Sequence, residues 1–223
     1  MGAKAWFIAW FDDDPKQVLA NKPKLDRDAS RALAARMFPD MTLVDLPDAV
    51  IYDLNPYDGE IHVADYGGLR IVAHESLGLD DPAQIDPRWI DPSLGRTAFV
   101  LGTHSVVDWF AFGLWRDGRL IRALSCNSDE GLITETGDRL PFEAKYWDGS
   151  YEAELYADFE DEFEDDEEDE RLLPFHPLDM MEGTMLEMLG FQFEGHPKDW
   201  ICNPEDIPLL HLKDGRKPWW KIW

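Results

Sequence analysis

Cysteine is scarce in this chain. Cys126 and Cys202 are the only two thiols in 223 residues and no Cys-x-x-Cys pair occurs, so neither a disulfide scaffold nor a thiolate metal centre is signalled, and a reducing cytoplasm suits the sequence. Positive charge is scarce as well: 21 Lys and Arg face 46 Asp and Glu, for a formal charge of −25. Such a surface field repels phosphate backbones and anionic lipid headgroups, so neither nucleic acid nor a membrane is an expected partner. No apolar run approaches the roughly 20 residues needed to span a bilayer. The opening MGAKAWFIAWFDDD has an acid triplet where an export signal would carry small residues, and Trp6 stands where the myristoylation pattern wants Ser or Thr. No cofactor-binding signature and no repeat of fixed period is present, and a soluble, cytoplasmic protein is expected.

Apolar and aromatic residues are plentiful. Ten Trp, twelve Phe and six Tyr within 44% hydrophobic content supply the core of one domain spanning residues 1–223. AWFIAWF (5–11) is a continuous apolar run that reads as a buried strand, ended by Asp14 as a helix cap with Pro15 at the first helical position. Ala29, Leu33, Ala34 and Met37 recur at helical spacing between Asp26 and Phe38. EIHVADYGGLRIVAHE holds two strands about a Tyr66-Gly67-Gly68 turn, and prolines at 82, 87 and 92 limit the next segment to short turns. RTAFVLG, DWFAFGLW, RLIRALSC and GLITETG then form a meander, with Asp117-Gly118 suited to a type I′ turn. A second amphipathic helix starts near Pro177, with Leu178, Met181, Met185, Leu186 and Leu189 on its apolar face and Gly190 as its stop. Strands outnumber helices and tight turns join them, so the expected class is α+β, an antiparallel-dominated sheet with helices packed on one face; a βαβ arrangement is the alternative.

The stretches MGAK (1–4), HSVVDWFAFGLW within 104–125, FEAKYWDG (142–149) and LPFHPL (173–178) occur in the order in which they appear in a family of uncharacterised, mainly actinobacterial proteins. The chain resembles that family over most of its length outside the acidic run. The resemblance implies a single conserved unit in a bacterial cytosol and carries no mechanism.

The constellation that most invites a chemical reading is His104, Ser105 and Asp108, followed by Trp109. In an extended strand, His104 and Ser105 diverge to opposite faces and Asp108 lies about 13 Å from His104. In a turn of helix the three approach one another, with Ser105 as a cap. A polar corner between two strands is the plainer expectation, with His104 a partly buried structural residue and Trp109 to Trp115 alternating between faces. A catalytic reading needs His176 or Cys126 brought in from elsewhere, and His and Val flank Ser105 where a nucleophile elbow would carry glycines. His62 and His74 lack a tight ligand partner, and Asp12-Asp13-Asp14 at a strand end lacks a phosphate-cradling loop; no metal ligand set is assigned.

Residues 158–170 hold eleven acids and no base, within an acidic surface insertion over 152–171 expected to be extended and mobile. Acids outnumber bases even without them. The expected function is non-catalytic binding of a macromolecule, immunity- or inhibitor-like in its charge, with a basic protein as partner and His104, Ser105, Asp108, Trp109 and His176 as candidate binding residues. The alternative is a hydrolase or transferase using the 104–108 corner with His176. The terminal PWWKIW is too apolar for a free tail and is expected to pack on the domain or on a second copy of it, forming a homodimer. Deleting residues 218–223 is therefore expected to lower the melting temperature or to dissociate a dimer. Calorimetry and light scattering of the truncated chain check this, and an unchanged melt at unchanged mass contradicts it.

Overall fold

The computed structural model describes residues 3–151, 172–194 and 197–216. The acidic insertion at 152–171 and the tryptophan-rich tail both lie outside the described residues. The strands are β1 (Lys4–Phe11), β2 (Leu43–Asp45), β3 (Ala49–Val50), β4 (Glu60–Asp65), β5 (Leu69–Ala73), β6 (Thr97–His104), β7 (Trp109–Arg116), β8 (Arg119–Asn127), β9 (Gly131–Thr136) and β10 (Pro208–Asp214). The helices are α1 (Pro15–Ala20), α2 (Arg27–Met37), α3 (Ala144–Trp147) and α4 (Pro177–Leu189). One sheet contains all the strands in the order β2-β10-β4-β5-β1-β6-β7-β8-β9, with β3 also beside β10, and every pairing is antiparallel. This is the antiparallel-dominated α+β architecture that the strand count and turns imply.

Local chemistry sets most boundaries. Asp14 accepts from the Lys16 amide ahead of Pro15, and Asp26 accepts from the Ala29 amide at the start of α2. Asp117 and Gly118 both take positive φ, as a type I′ hairpin between β7 and β8 requires. Between β5 and β6 the chain makes three Asp-Pro turns, in which Asp81, Asp86 and Asp91 each cap a short 3-10 segment. These turns are too short to be helices, yet they hold Ile85, Trp89 and Leu94 in the core.

The sheet is buried on both faces. Ala5, Phe7, Ala9, Phe99, Leu101, Phe110, Phe112 and Leu124 face α1, α3 and α4, while Ile8, Trp10, Val72, Val100 and Trp115 face α2 and the Asp-Pro turns. Three helices thus share one face and α2 covers part of the other, whereas the sequence suggests a single helical face. The reason lies in β1: a continuous apolar run sends large side chains to both sides, and both must be covered. Trp10 is stacked on Trp89 at 6.2 Å and donates to its carbonyl at 2.7 Å, which fastens the Asp-Pro segment down.

A buried ion pair fixes the far side of the meander. The Arg122 guanidinium makes a two-point contact with Glu143 at 2.9 and 2.7 Å, both side chains being fully buried. Arg122 also reaches Glu135 at 3.0 Å and the Gly137 carbonyl at 3.2 Å. Glu143 in turn accepts from the Leu140 amide and the Trp147 indole, so its lone pairs are engaged. Removing Glu143 leaves the buried Arg122 with the partly exposed Glu135 as its remaining carboxylate among the described residues, and removing Arg122 leaves Glu143 a buried charge. Glu143→Ala is expected to cost about 3 kcal/mol or more, and Glu143→Gln less because it keeps acceptors in place. Urea melts of the two variants check this, and equal stability of Glu143→Ala and the wild type contradicts it.

Candidate functional site

β6 ends at His104, a 3-10 turn spans Ser105–Val107, Asp108 takes a left-handed conformation with φ of 45°, and β7 begins at Trp109. His104 and Trp109 are directly paired across the two strands. The Ser105 amide donates to the Ala3 carbonyl at 3.0 Å and the Asp108 amide to the Ser105 carbonyl at 3.4 Å. The corner is therefore closed by main-chain bonds, and no side chain caps the turn. Beyond it, Trp109 to Trp115 alternate as the sequence implies, Phe110, Phe112 and Leu114 to one face and Trp109 and Trp115 to the other.

The pleat divides the sequence-derived candidates. His104 lies on the α2 side, where its ring meets Trp6 edge-on at 6.3 Å. Burial, with Lys4 nearby, lowers its pKa from the usual histidine value. Asp108 turns towards the start of α4, where its carboxylate stands 3.8 Å from His176 Nε2, too far for a hydrogen bond. His176 has a structural task there: its Nδ1 accepts from the Leu178 amide at 3.3 Å and caps α4. Cys126 is buried beneath that same face, and burial pushes its thiol up to about 12, far from a nucleophile's range. Among the described residues no hydrogen bond joins the side chains of His104, Ser105, Asp108 and His176. The arrangement offers no nucleophile–base pair.

What the corner does form is a cavity of about 430 Å³, walled by Trp6, His104 and Trp109, with Asp80, Asn127 and Glu130 at its rim and Val107 at its lip. Two of the sequence candidates, His104 and Trp109, are brought together here; Ser105, Asp108 and His176 are not among its walls. The benzo edge of Trp109 lies against Gly102, where an added Cβ would stand 2.5 Å from it, so this glycine seats the ring. The Trp109 indole N–H is buried and has no acceptor among the described residues. Val106 and Val107 project beside the opening, 73% and 51% exposed. Trp6, Asp80 and Glu130 escape sequence reasoning because they come from β1, the loop after β5 and the β8–β9 turn.

Histidine and carboxylate also meet between β4 and β10. His62 is paired directly with His211, their rings 4.4 Å apart and nearly perpendicular, and Glu60 lies within 2.8 Å of His211 Nε2. Burial lowers the His62 pKa to about 4. The Glu60-x-His62 alternation in EIHVAD puts both on one face and is the signal available in the sequence. His74, by contrast, packs on Phe38 and caps the turn after β5. Within the Asp12–Asp14 triplet, Asp14 caps α1 and Asp12 accepts from the Arg96 amide.

Among the described residues no helix is long and apolar enough to cross a membrane. No curated protein and no solved structure matches the chain. A model of a family of unknown function, DUF6928, matches residues 5–211, from the central strand to the last one. By that match over nearly its whole length, the protein belongs to the DUF6928 family of unknown function.

Proposed function

We propose that this protein is a non-catalytic, cytoplasmic macromolecule-binding protein, immunity- or inhibitor-like in its charge, which receives a cationic side chain of a basic partner in the cavity at the 104–109 corner. The observation that carries this reading is the composition of that cavity. Aromatic faces attract a guanidinium or ammonium through their quadrupoles. The carboxylates of Asp80 and Glu130 supply the opposite charge at the rim, within a molecule of net charge −25. Val106 and Val107 add an exposed apolar lip, the kind of surface that gains from being covered by protein. An acidic surface around this point steers a basic partner towards it. The reducing setting is supported by two unpaired cysteines.

The dispersal of Asp108 and His176 away from His104 weighs against the hydrolase or transferase alternative, since neither pairing can pass a proton directly. The His104 side chain makes no hydrogen bond among the described residues, so His104→Ala is expected to cost less than about 1 kcal/mol in a urea melt. The direct test is a titration of the ¹⁵N-labelled chain with acetyl-Ala-Arg-Ala-amide, followed at the indole N–H signals. The Trp6 and Trp109 signals are expected to shift saturably. The shift is expected to weaken at least tenfold when citrulline replaces arginine, or in Asp80→Asn/Glu130→Gln. Shifts that spare both indoles, or that citrulline reproduces in full, contradict the reading.

A further inference from the structure

The Glu60, His62 and His211 cluster lies apart from the corner cavity, and its details are those of a ligand set. The strands β4 and β10 are antiparallel neighbours with His62 opposite His211, and Glu60 follows two residues from His62 on the same face. One ligating atom from each residue lies within 4.8 Å of the other two. Main-chain carbonyls take the Nδ1 atoms of both rings: His62 bonds to Asp53, and His211 bonds to Pro47 at 3.2 Å. A ring that donates Nδ1–H to a carbonyl can ligate through Nε2 once that atom carries no proton, and this outer contact is the usual way that metal-ligating histidines are oriented.

We propose that Glu60, His62 and His211 form a zinc site with three protein ligands and an open fourth position. Two imidazoles and one carboxylate suit Zn²⁺, with bonds of about 2.0–2.2 Å in a tetrahedral arrangement. At such bond lengths ligand atoms stand roughly 3.3–3.6 Å apart, so the cluster closes on an ion by small side-chain rotations rather than by backbone movement. The proton that bridges His211 Nε2 and Glu60 leaves to solvent as the metal enters, and the carboxylate exchanges that hydrogen bond for a metal bond. His62 is buried, while the side chains of Glu60 and His211 remain 19% and 18% exposed. The open position would therefore face the surface. The ion would reinforce the main-chain bonds that already hold the segments carrying Pro47 and Asp53, among them Leu46 N–H to the His211 carbonyl at 2.9 Å and Ile51 N–H to the Ile207 carbonyl at 2.8 Å.

The test uses the full-length chain stripped with a chelator and titrated with Co²⁺, which reports geometry by its visible absorption, then with Zn²⁺ as competitor. The site predicts one Co²⁺ per chain with intense four-coordinate bands, no sulfur charge-transfer band, and displacement by Zn²⁺. Glu60→Gln and His211→Asn change partly exposed side chains and are expected to keep the wild-type circular dichroism. Each is expected to lose at least about tenfold in affinity together with the intense bands. Carboxylates of the acidic insertion bind Co²⁺ weakly with the pale spectrum of six-coordinate ions, which these bands separate. A pale spectrum alone in the wild type overturns the proposal. So do intense bands that survive in both variants.

Discussion

The rest of the structure depends on the burial of β1 from both sides. Its run AWFIAWF sits between β5 and β6 with hydrogen bonds to each, and places Phe7 in one core layer and Ile8 and Trp10 in the other. A strand so placed needs both faces covered, and its own main-chain and side-chain contacts reach the candidate sites. The Trp6 amide donates to the Leu54 carbonyl at 3.0 Å, which anchors the segment whose Asp53 carbonyl orients His62. The Trp6 carbonyl accepts from the His74 amide, and its indole walls the corner cavity. One strand therefore positions both places where chemistry collects.

How much of this was legible in the sequence follows the range of the interactions. Turn and cap chemistry acts within a few residues, so Asp14-Pro15, Asp117-Gly118 and Gly190 mark their boundaries openly. The corner in GTHSVVDW reads correctly as strand, turn and strand for the same reason. Its partners do not. Whether Asp108 meets His104 or His176 depends on which face the left-handed residue turns to, and no pattern in these eight residues encodes that. Asp80 and Glu130 sit in turns that only the β5–β1–β6–β7–β8 order brings to one rim. His211 stands about 150 residues from His62, so their pairing is a fact of strand register alone.

The placement of helices on both faces had a local signal that strand counting outweighs. Uninterrupted apolar character in β1, and again in β6 and β7, means two buried faces, while a count of strands and tight turns does not say how many faces are covered. Composition bears on function in the same limited way. It disfavours polyanionic partners, but it does not place the cavity at the corner, with its aromatic walls and carboxylate rim, on which the proposed reading rests.

Native-state hydrogen exchange tests the central claim most directly, because it reads the stability of each strand separately. If β1 organises the molecule, the amides of Phe7, Ile8 and Ala9 exchange only by global unfolding, with protection equal to the full unfolding free energy. The turn at 105–108 and the edge strand β2 then open locally and exchange faster. Exchange of the β1 amides as fast as those of β2 would contradict the account.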